Sequence, residues 1–181
     1  MIKLFTIHNK QKSPGFTLVE VLVALAITGL IMGGITTGII QLMTISDQNT
    51  NAITAQRQVQ QVGTAISQDV LQSRIVQTSV NNTPAGTGFQ IVLTWNNING
   101  DEYVITYSLS NSGIVTRSQS INGGAATSSS IAENISISSL DTSFIQKSGS
   151  PGTYTLKVTA TIPGQFSVSE TRTYEMKKRT N

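Results

Sequence analysis

The sequence contains no cysteine and a single histidine, His8. Without cysteine there is no disulfide framework, thiol nucleophile or thiolate metal site. With one histidine, near the start of the chain, most acyl-transfer triads and most zinc sites are excluded as well. Charge is scarce: Asp, Glu, Lys and Arg make up 12% of the 181 residues, against about 25% in soluble proteins. No P-loop, G-x-S-x-G or H-E-x-x-H pattern occurs, so neither nucleotide use nor hydrolysis is indicated. These absences lean away from an enzyme. Uncharged polar residues take up the room, with 21 serines, 24 threonines, 12 asparagines and 14 glutamines. The length suits one domain with an accessory segment.

The sequence pI of 9.3 hides an uneven distribution. Residues 1–15 hold Lys3, Lys10 and Lys12 and no acid, whereas residues 16–176 hold six bases and nine acids. The run Lys177-Lys178-Arg179 supplies the remaining bases. A nucleic-acid binder spreads its cations over a face, and here they gather at the two ends. Contact of the terminal run with DNA phosphates is the competing reading of a solvated tail. Nucleic acid is not expected as a partner.

Apolar residues are concentrated too. Glu20 is the only charge between Phe16 and Met43, and Val21 to Ile40 has none. A helix of twenty residues spans ~30 Å, the thickness of a bilayer core. A helix buried inside a soluble core is the alternative, but the rest of the chain is too modest to surround it. Lysines upstream place the N-terminus in the cytoplasm and the bulk of the chain outside.

An ordinary secretory signal ends in a cleavage site after its apolar part; no such site follows this run. The distinctive junction precedes it, at Ser13-Pro14-Gly15-Phe16-Thr17-Leu18-Val19-Glu20. This string resembles the class III signal of type IV prepilins. The resemblance implies that a prepilin peptidase cuts after Gly15 and that Phe16, the new first residue, is N-methylated. It also implies that Glu20, at the fifth position after the cut, acts in assembly by pairing with the Phe16 amine of a neighbouring subunit. Pro14 biases Ser13 toward extended backbone and Gly15 leaves the cut unhindered. Two other uses of Glu20 stay open: stabilising the helix N-terminus, or pairing with its own Phe16 amine one turn away.

Gly29, Gly33, Gly34 and Gly38 form two consecutive G-x-x-x-G pairs, 29/33 and 34/38. Such glycines let helices pack closely and equally loosen a helix. Beyond Met43, Ala52, Ala55, Val59, Val62, Ile66 and Val70 recur at helical spacing, an amphipathic continuation that Asn81-Asn82-Thr83-Pro84 stops. From Phe89 onward the chain reads as antiparallel strands: Phe89–Trp95, Tyr103–Leu109, Ile114–Ser118, a short piece within Ile131–Ile137, Tyr154–Ile162 and a last strand with Phe166, Val168 and Tyr174. A low-complexity loop is expected at about Ser120–Ser130. Asn97, Asn99 and Asp101 have calcium-loop spacing without the terminal glutamate, and a plain hairpin turn is the favoured reading.

The expected fold class is therefore α+β and pilin-like: a long N-terminal helix, half transmembrane and half amphipathic, packed on a C-terminal antiparallel β-sheet head. Residues 1–15 would be a removed leader, 16–43 the membrane and filament-core helix, 44–80 the amphipathic helix and 81–181 the head. Asp69 late in the helix, Tyr107 to Arg117 as strand–turn–strand, and Ile131-Ala132-Glu133-Asn134-Ile135 resemble the minor pilins of the PilW group and the J-type pseudopilins of type II secretion. The resemblance implies a structural subunit without catalytic residues; no cofactor and, from the incomplete loop at Asn97–Asp101, no metal are expected. Its expected partners are other pilin or pseudopilin subunits, prepilin peptidase, an inner-membrane assembly platform with a separate cytoplasmic ATPase, and cytoplasmic membrane lipid. A tip adhesin or DNA-uptake subunit and a major filament-forming pilin remain as alternatives.

Overall fold

The computed structural model describes residues 15–78, 89–164 and 166–179. Residues 1–14 of the expected leader and the helix stop at Asn81–Pro84 lie outside the described residues. The chain divides into two compact units, Met1–Ile45 and Ser46–Asn181. Helix α1, Leu18–Gln72, runs through the boundary.

In the first unit α1 carries Val, Leu, Ile and Met on every side, and none of residues 16–43 is buried. Its few hydroxyls are satisfied internally. Thr28, Thr36 and Thr37 donate from Oγ1 to the carbonyls of Ala24, Met32 and Gly33 at 2.7, 2.8 and 2.9 Å. Such back-bonding hides a polar group where no water would be available.

In the second unit α1 buries Ala55, Val59, Val62, Gly63, Ile66, Asp69 and Val70. Ala52, expected in this stripe, is exposed; the buried face begins one turn later. The helix ends at Gln72. The buried hydroxyl of Ser73 donates to the Val70 carbonyl at 2.8 Å, and the Arg74 N–H leaves the helix for the Thr94 carbonyl at 3.0 Å. Strand β1, Ile75–Thr78, follows, where an amphipathic helix to residue 80 was expected. Its β-branched residues suit a strand, and pairing with β2 decides the matter.

Two antiparallel sheets pack on this helix face. One is a meander of β1, β2 (Gln90–Asn96), β3 (Glu102–Leu109), β4 (Val115–Ile121) and β5 (Thr127–Ala132). The other contains β6 (Ser143–Gln146), β7 (Thr153–Ile162) and β8 (Val168–Lys177). The apolar positions that were read are buried: Ile91 and Leu93 on β2, Ile105, Tyr107 and Leu109 on β3, and Tyr154, Leu156, Val158, Ala160 and Ile162 on β7, where Thr159 is buried as well. The expected low-complexity loop contains strand instead. β4 continues to Ile121, and Thr127–Ser130 pair with Gln119–Thr116. Serine is a poor strand former alone; cross-strand partners, including a Ser118–Ser128 hydroxyl contact of 2.7 Å, set its conformation here. Phe166 lies outside β8 and is exposed.

Candidate functional site

The N-terminal segment is built around a helix cap. Gly15, Phe16 and Thr17 precede α1 in irregular backbone, and Phe16 is 87% exposed. Among the described residues, a side chain placed at Gly15 would meet nothing within 4 Å. Thr17 accepts through Oγ1 from the Glu20 N–H at 3.3 Å, while Glu20 Oε2 accepts from the Thr17 N–H and hydroxyl, both at 2.9 Å. This reciprocal pair is a capping box. It holds the Glu20 carboxylate at the helix N-terminus, where the dipole favours it. Of the three uses read for Glu20, the one at the helix end is seen within a single chain. The T-x-x-E spacing of Thr17 and Glu20 was the signal for this cap.

Gly29, Gly33, Gly34 and Gly38 meet nothing within their own chain: a Cβ added at any of them finds open space to 4 Å.

In the head, the structure brings together three residues singled out in the sequence. Asp69 projects from the last turns of α1. Tyr107 and Arg117 face each other across β3 and β4. The Tyr107 hydroxyl donates to Asp69 Oδ2. Arg117 donates from Nε to Asp69 Oδ2 at 2.8 Å and from Nη2 to Oδ1 at 3.3 Å, and from Nη1 to Gln119 Oε1 at 3.1 Å. Burial, and then the hydrogen bond to Asp69, pushes the Tyr107 hydroxyl well above the ordinary tyrosine range. The hydrogen bond to Asp69 raises the Arg117 guanidinium further. The cluster joins the helix to the five-stranded sheet.

A second contact ties the helix to the three-stranded sheet. The Tyr174 ring lies over Gly63, where an added Cβ would fall 2.1 Å from Cζ. The Tyr174 hydroxyl donates to the Val59 carbonyl at 3.3 Å. Sequence reading missed Gly63; a lone glycine in an amphipathic stripe was its only signal.

The Asn97–Asp101 segment is a hairpin turn. Asn97 Oδ1 accepts from the N–H groups of Asn99 and Asp101 at 2.8 and 3.0 Å. Both Asp101 oxygens are taken, by Asn122 Nδ2 at 2.8 Å and Asn97 Nδ2 at 3.0 Å. The Asn122 bond, then the Asn97 bond, lowers the Asp101 carboxyl below the usual range. Among the described residues no group of three or more acidic or histidine side chains could hold a metal ion. In the terminal run, Lys178 Nζ donates to the Arg74 carbonyl at 3.0 Å.

Residues 10–36 match the family model of the prokaryotic N-terminal methylation motif. No curated protein and no solved structure matches the chain. The matched segment spans the Gly15–Phe16 junction, the capping box and most of the apolar run. It supports a type IV pilin-like subunit that prepilin peptidase processes and that assembles with other pilin subunits.

Proposed function

We propose that the chain is a minor pilin or pseudopilin, a structural subunit of a type IV pilus-like or type II secretion filament. It is cut between Gly15 and Phe16, methylated on Phe16, and held in the inner membrane with its N-terminus cytoplasmic and its head outside until assembly. The observation that carries this reading is the exposure of the whole apolar run in a single chain: residues 16–43 include no buried side chain. Each large aliphatic residue left in water forfeits about 1.5–3 kcal/mol. The run therefore needs lipid before assembly and neighbouring helices after it.

The G-x-x-x-G glycines, where an added Cβ would find open space to 4 Å among the described residues, are suited to helix–helix contact between subunits. In that low-dielectric setting a neighbour's Phe16 amine is the natural partner of Glu20 and would fix axial register. The Thr17 cap occupies Glu20 Oε2, and the other carboxylate oxygen can take the amine.

Mass spectrometry of the chain from sheared filaments and from inner membranes tests the reading. The expected species lacks residues 1–15, carries one added methyl group and is present in filaments at few copies per major subunit. A chain that retains Met1 in its mature form sinks the proposal. An abundance equal to the shaft subunit replaces the minor role with a major one.

A further inference from the structure

Two asparagines are followed directly by glycine, at Asn99-Gly100 and Asn122-Gly123. Both pairs are exposed. The first lies in the turn between β2 and β3, the second in the connection between β4 and β5. A main-chain nitrogen beside an asparagine can attack the side-chain amide without any enzyme. Glycine favours this, because no Cβ holds its nitrogen away. As sequence the two pairs are chemically alike. The fold makes them different.

Asn122 is held at both ends of its amide. Its Oδ1 accepts from the Glu102 N–H at 2.8 Å, and its Nδ2 donates to Asp101 Oδ1 at 2.8 Å. The second bond ends on a carboxylate, which makes it the stronger kind. The main chain is tied down as well. The Asn122 N–H donates to the Glu102 carbonyl at 2.8 Å, and the Gly124 N–H to the Ile121 carbonyl at 2.9 Å. The amide carbon of Asn122 can turn toward the Gly123 nitrogen only after both side-chain bonds break.

The turn at Asn99 is held by other groups. Asn97 Oδ1 accepts from the N–H groups of Asn99 and Asp101, and Asn97 Nδ2 donates to Asp101 Oδ2. Asn99 contributes its main-chain N–H, and its side-chain amide takes no part in the hydrogen bonds of the turn. The restraint here lies on the nitrogen: the Gly100 N–H donates to the Asn97 carbonyl at 3.1 Å. A bond in an exposed turn is released by local opening, at much lower cost than unfolding the head.

We propose that Asn99 is a site of self-modification, converting slowly to aspartate and isoaspartate, while the fold preserves Asn122. The Gly100 nitrogen gives its proton to solvent and attacks Asn99 Cγ. A Cγ–N bond forms, the Cγ–Nδ2 bond breaks, and Nδ2 leaves as ammonia after taking a proton. Water then opens the cyclic imide. Opening at Cγ leaves aspartate; opening at the main-chain carbonyl carbon leaves isoaspartate. Water is the only co-reactant, and nothing is oxidised or reduced. Either product places a new carboxylate beside Asp101 and Glu102 in the same turn. Isoaspartate also lengthens the main chain of the turn. The β2–β3 tip therefore changes charge and shape as the molecule ages. The inference rests on the head alone and does not require the filament role.

The test keeps the full chain in detergent micelles in mildly alkaline buffer for several weeks, with a second portion in concentrated urea. Peptide mapping by mass spectrometry reads the mass gained as each amide becomes an acid, and fragmentation identifies isoaspartate. In urea both sites are expected to convert. In the native chain Asn99 is expected to convert at least about tenfold faster than Asn122, whose amide must first lose two bonds. Asp101→Ala frees Asn122 Nδ2 and is expected to raise conversion of Asn122 severalfold in the native head. An intact Asn99 in the native chain would overturn the proposal, as would equal conversion of the two sites. A preference for Asn99 that persists unchanged in urea, or an Asn122 indifferent to Asp101→Ala, would overturn the protection assigned to the fold.

Discussion

Arg117 donates from Nε to Asp69 Oδ2 at 2.8 Å, joining β4 to α1 across forty-eight residues of sequence. The contact is half sheltered, with the arginine and aspartate side chains 26% and 12% exposed. Tyr107 completes the arrangement from β3. Each partner satisfies a group that burial would otherwise penalise, so the three act as one clasp.

Deleting the cation should cost more than deleting the hydroxyl. Arg117→Ala leaves the Asp69 carboxylate buried beside a single hydroxyl, and a loss of about 2–3 kcal/mol is expected after allowance for solvent access. Tyr107→Phe removes one hydrogen bond and should cost about 1 kcal/mol. Urea unfolding followed by the fluorescence of Trp95, the chain's one tryptophan, measures both. Equal losses would show that the ion pair contributes little.

The clasp also sets a pH limit at the alkaline end. Tyr107 has a raised folded-state pKa, because burial and Asp69 disfavour the phenolate. Its contribution is fully present below the unfolded tyrosine pKa of about 10. Above that value the unfolded chain releases a proton that the native head retains, and stability falls by ~1.4 kcal/mol per pH unit. Tyr154, whose hydroxyl burial also raises, adds to the same slope. Unfolding midpoints should therefore be flat with respect to these groups below pH 10 and decline above it. Tyr107→Phe should make the decline shallower, and an unchanged slope would remove Tyr107 from the account.

Gly63 should behave in opposite ways depending on Tyr174. Alanine at a helical glycine ordinarily stabilises by about 1 kcal/mol. Here the new methyl would drive the Tyr174 ring off Gly63 and break its bond to the Val59 carbonyl. Overpacking of that kind costs about 1–3 kcal/mol. Gly63→Ala is expected to destabilise the native head, yet to stabilise a Tyr174→Ala background. A double-mutant cycle by urea unfolding reads the sign change, and a stabilising effect in both backgrounds would contradict the packing.

Processing and assembly should separate at the N-terminus. Gly15→Leu places a bulky side chain at the junction and is expected to leave the precursor uncut, visible as a heavier band. Glu20→Ala keeps the junction, the apolar run and the backbone N–H bond to Thr17 Oγ1, and loses only the carboxylate half of the capping box. It should still be cut and membrane-inserted, and should enter filaments at least tenfold less well. Normal incorporation would leave Glu20 with the capping role alone. Thr17→Ala removes the cap while sparing the carboxylate, so near-normal incorporation of that variant would assign the assembly defect to the charge.

Much of this molecule follows from short-range pattern. The Gly15–Phe16 junction, the charge-free run from Val21 to Ile40 and the stripe from Ala55 to Val70 are periodic or contiguous features, which a chain displays before it folds. The same holds for β3 and β7, whose alternation marks one buried face. Even the capping box lay within four residues, at Thr17 and Glu20.

What tertiary structure decided are the places where local preference is weak or mistaken. Thr127–Ser130 has a loop composition and becomes an edge strand because β4 supplies its hydrogen bonds. Ile75–Thr78 extends a helical pattern on paper, yet joins β2 once Ser73 has closed the helix. Gly63 is indispensable only because a tyrosine more than a hundred residues later lies over it. Asp69, Tyr107 and Arg117 could each be named in the sequence, but their convergence depends on the register of a sheet against a helix. Side-chain order along a chain fixes which surfaces are apolar. Which of those surfaces meet, and which edge is left unpaired, is settled by long-range pairing that no single segment encodes.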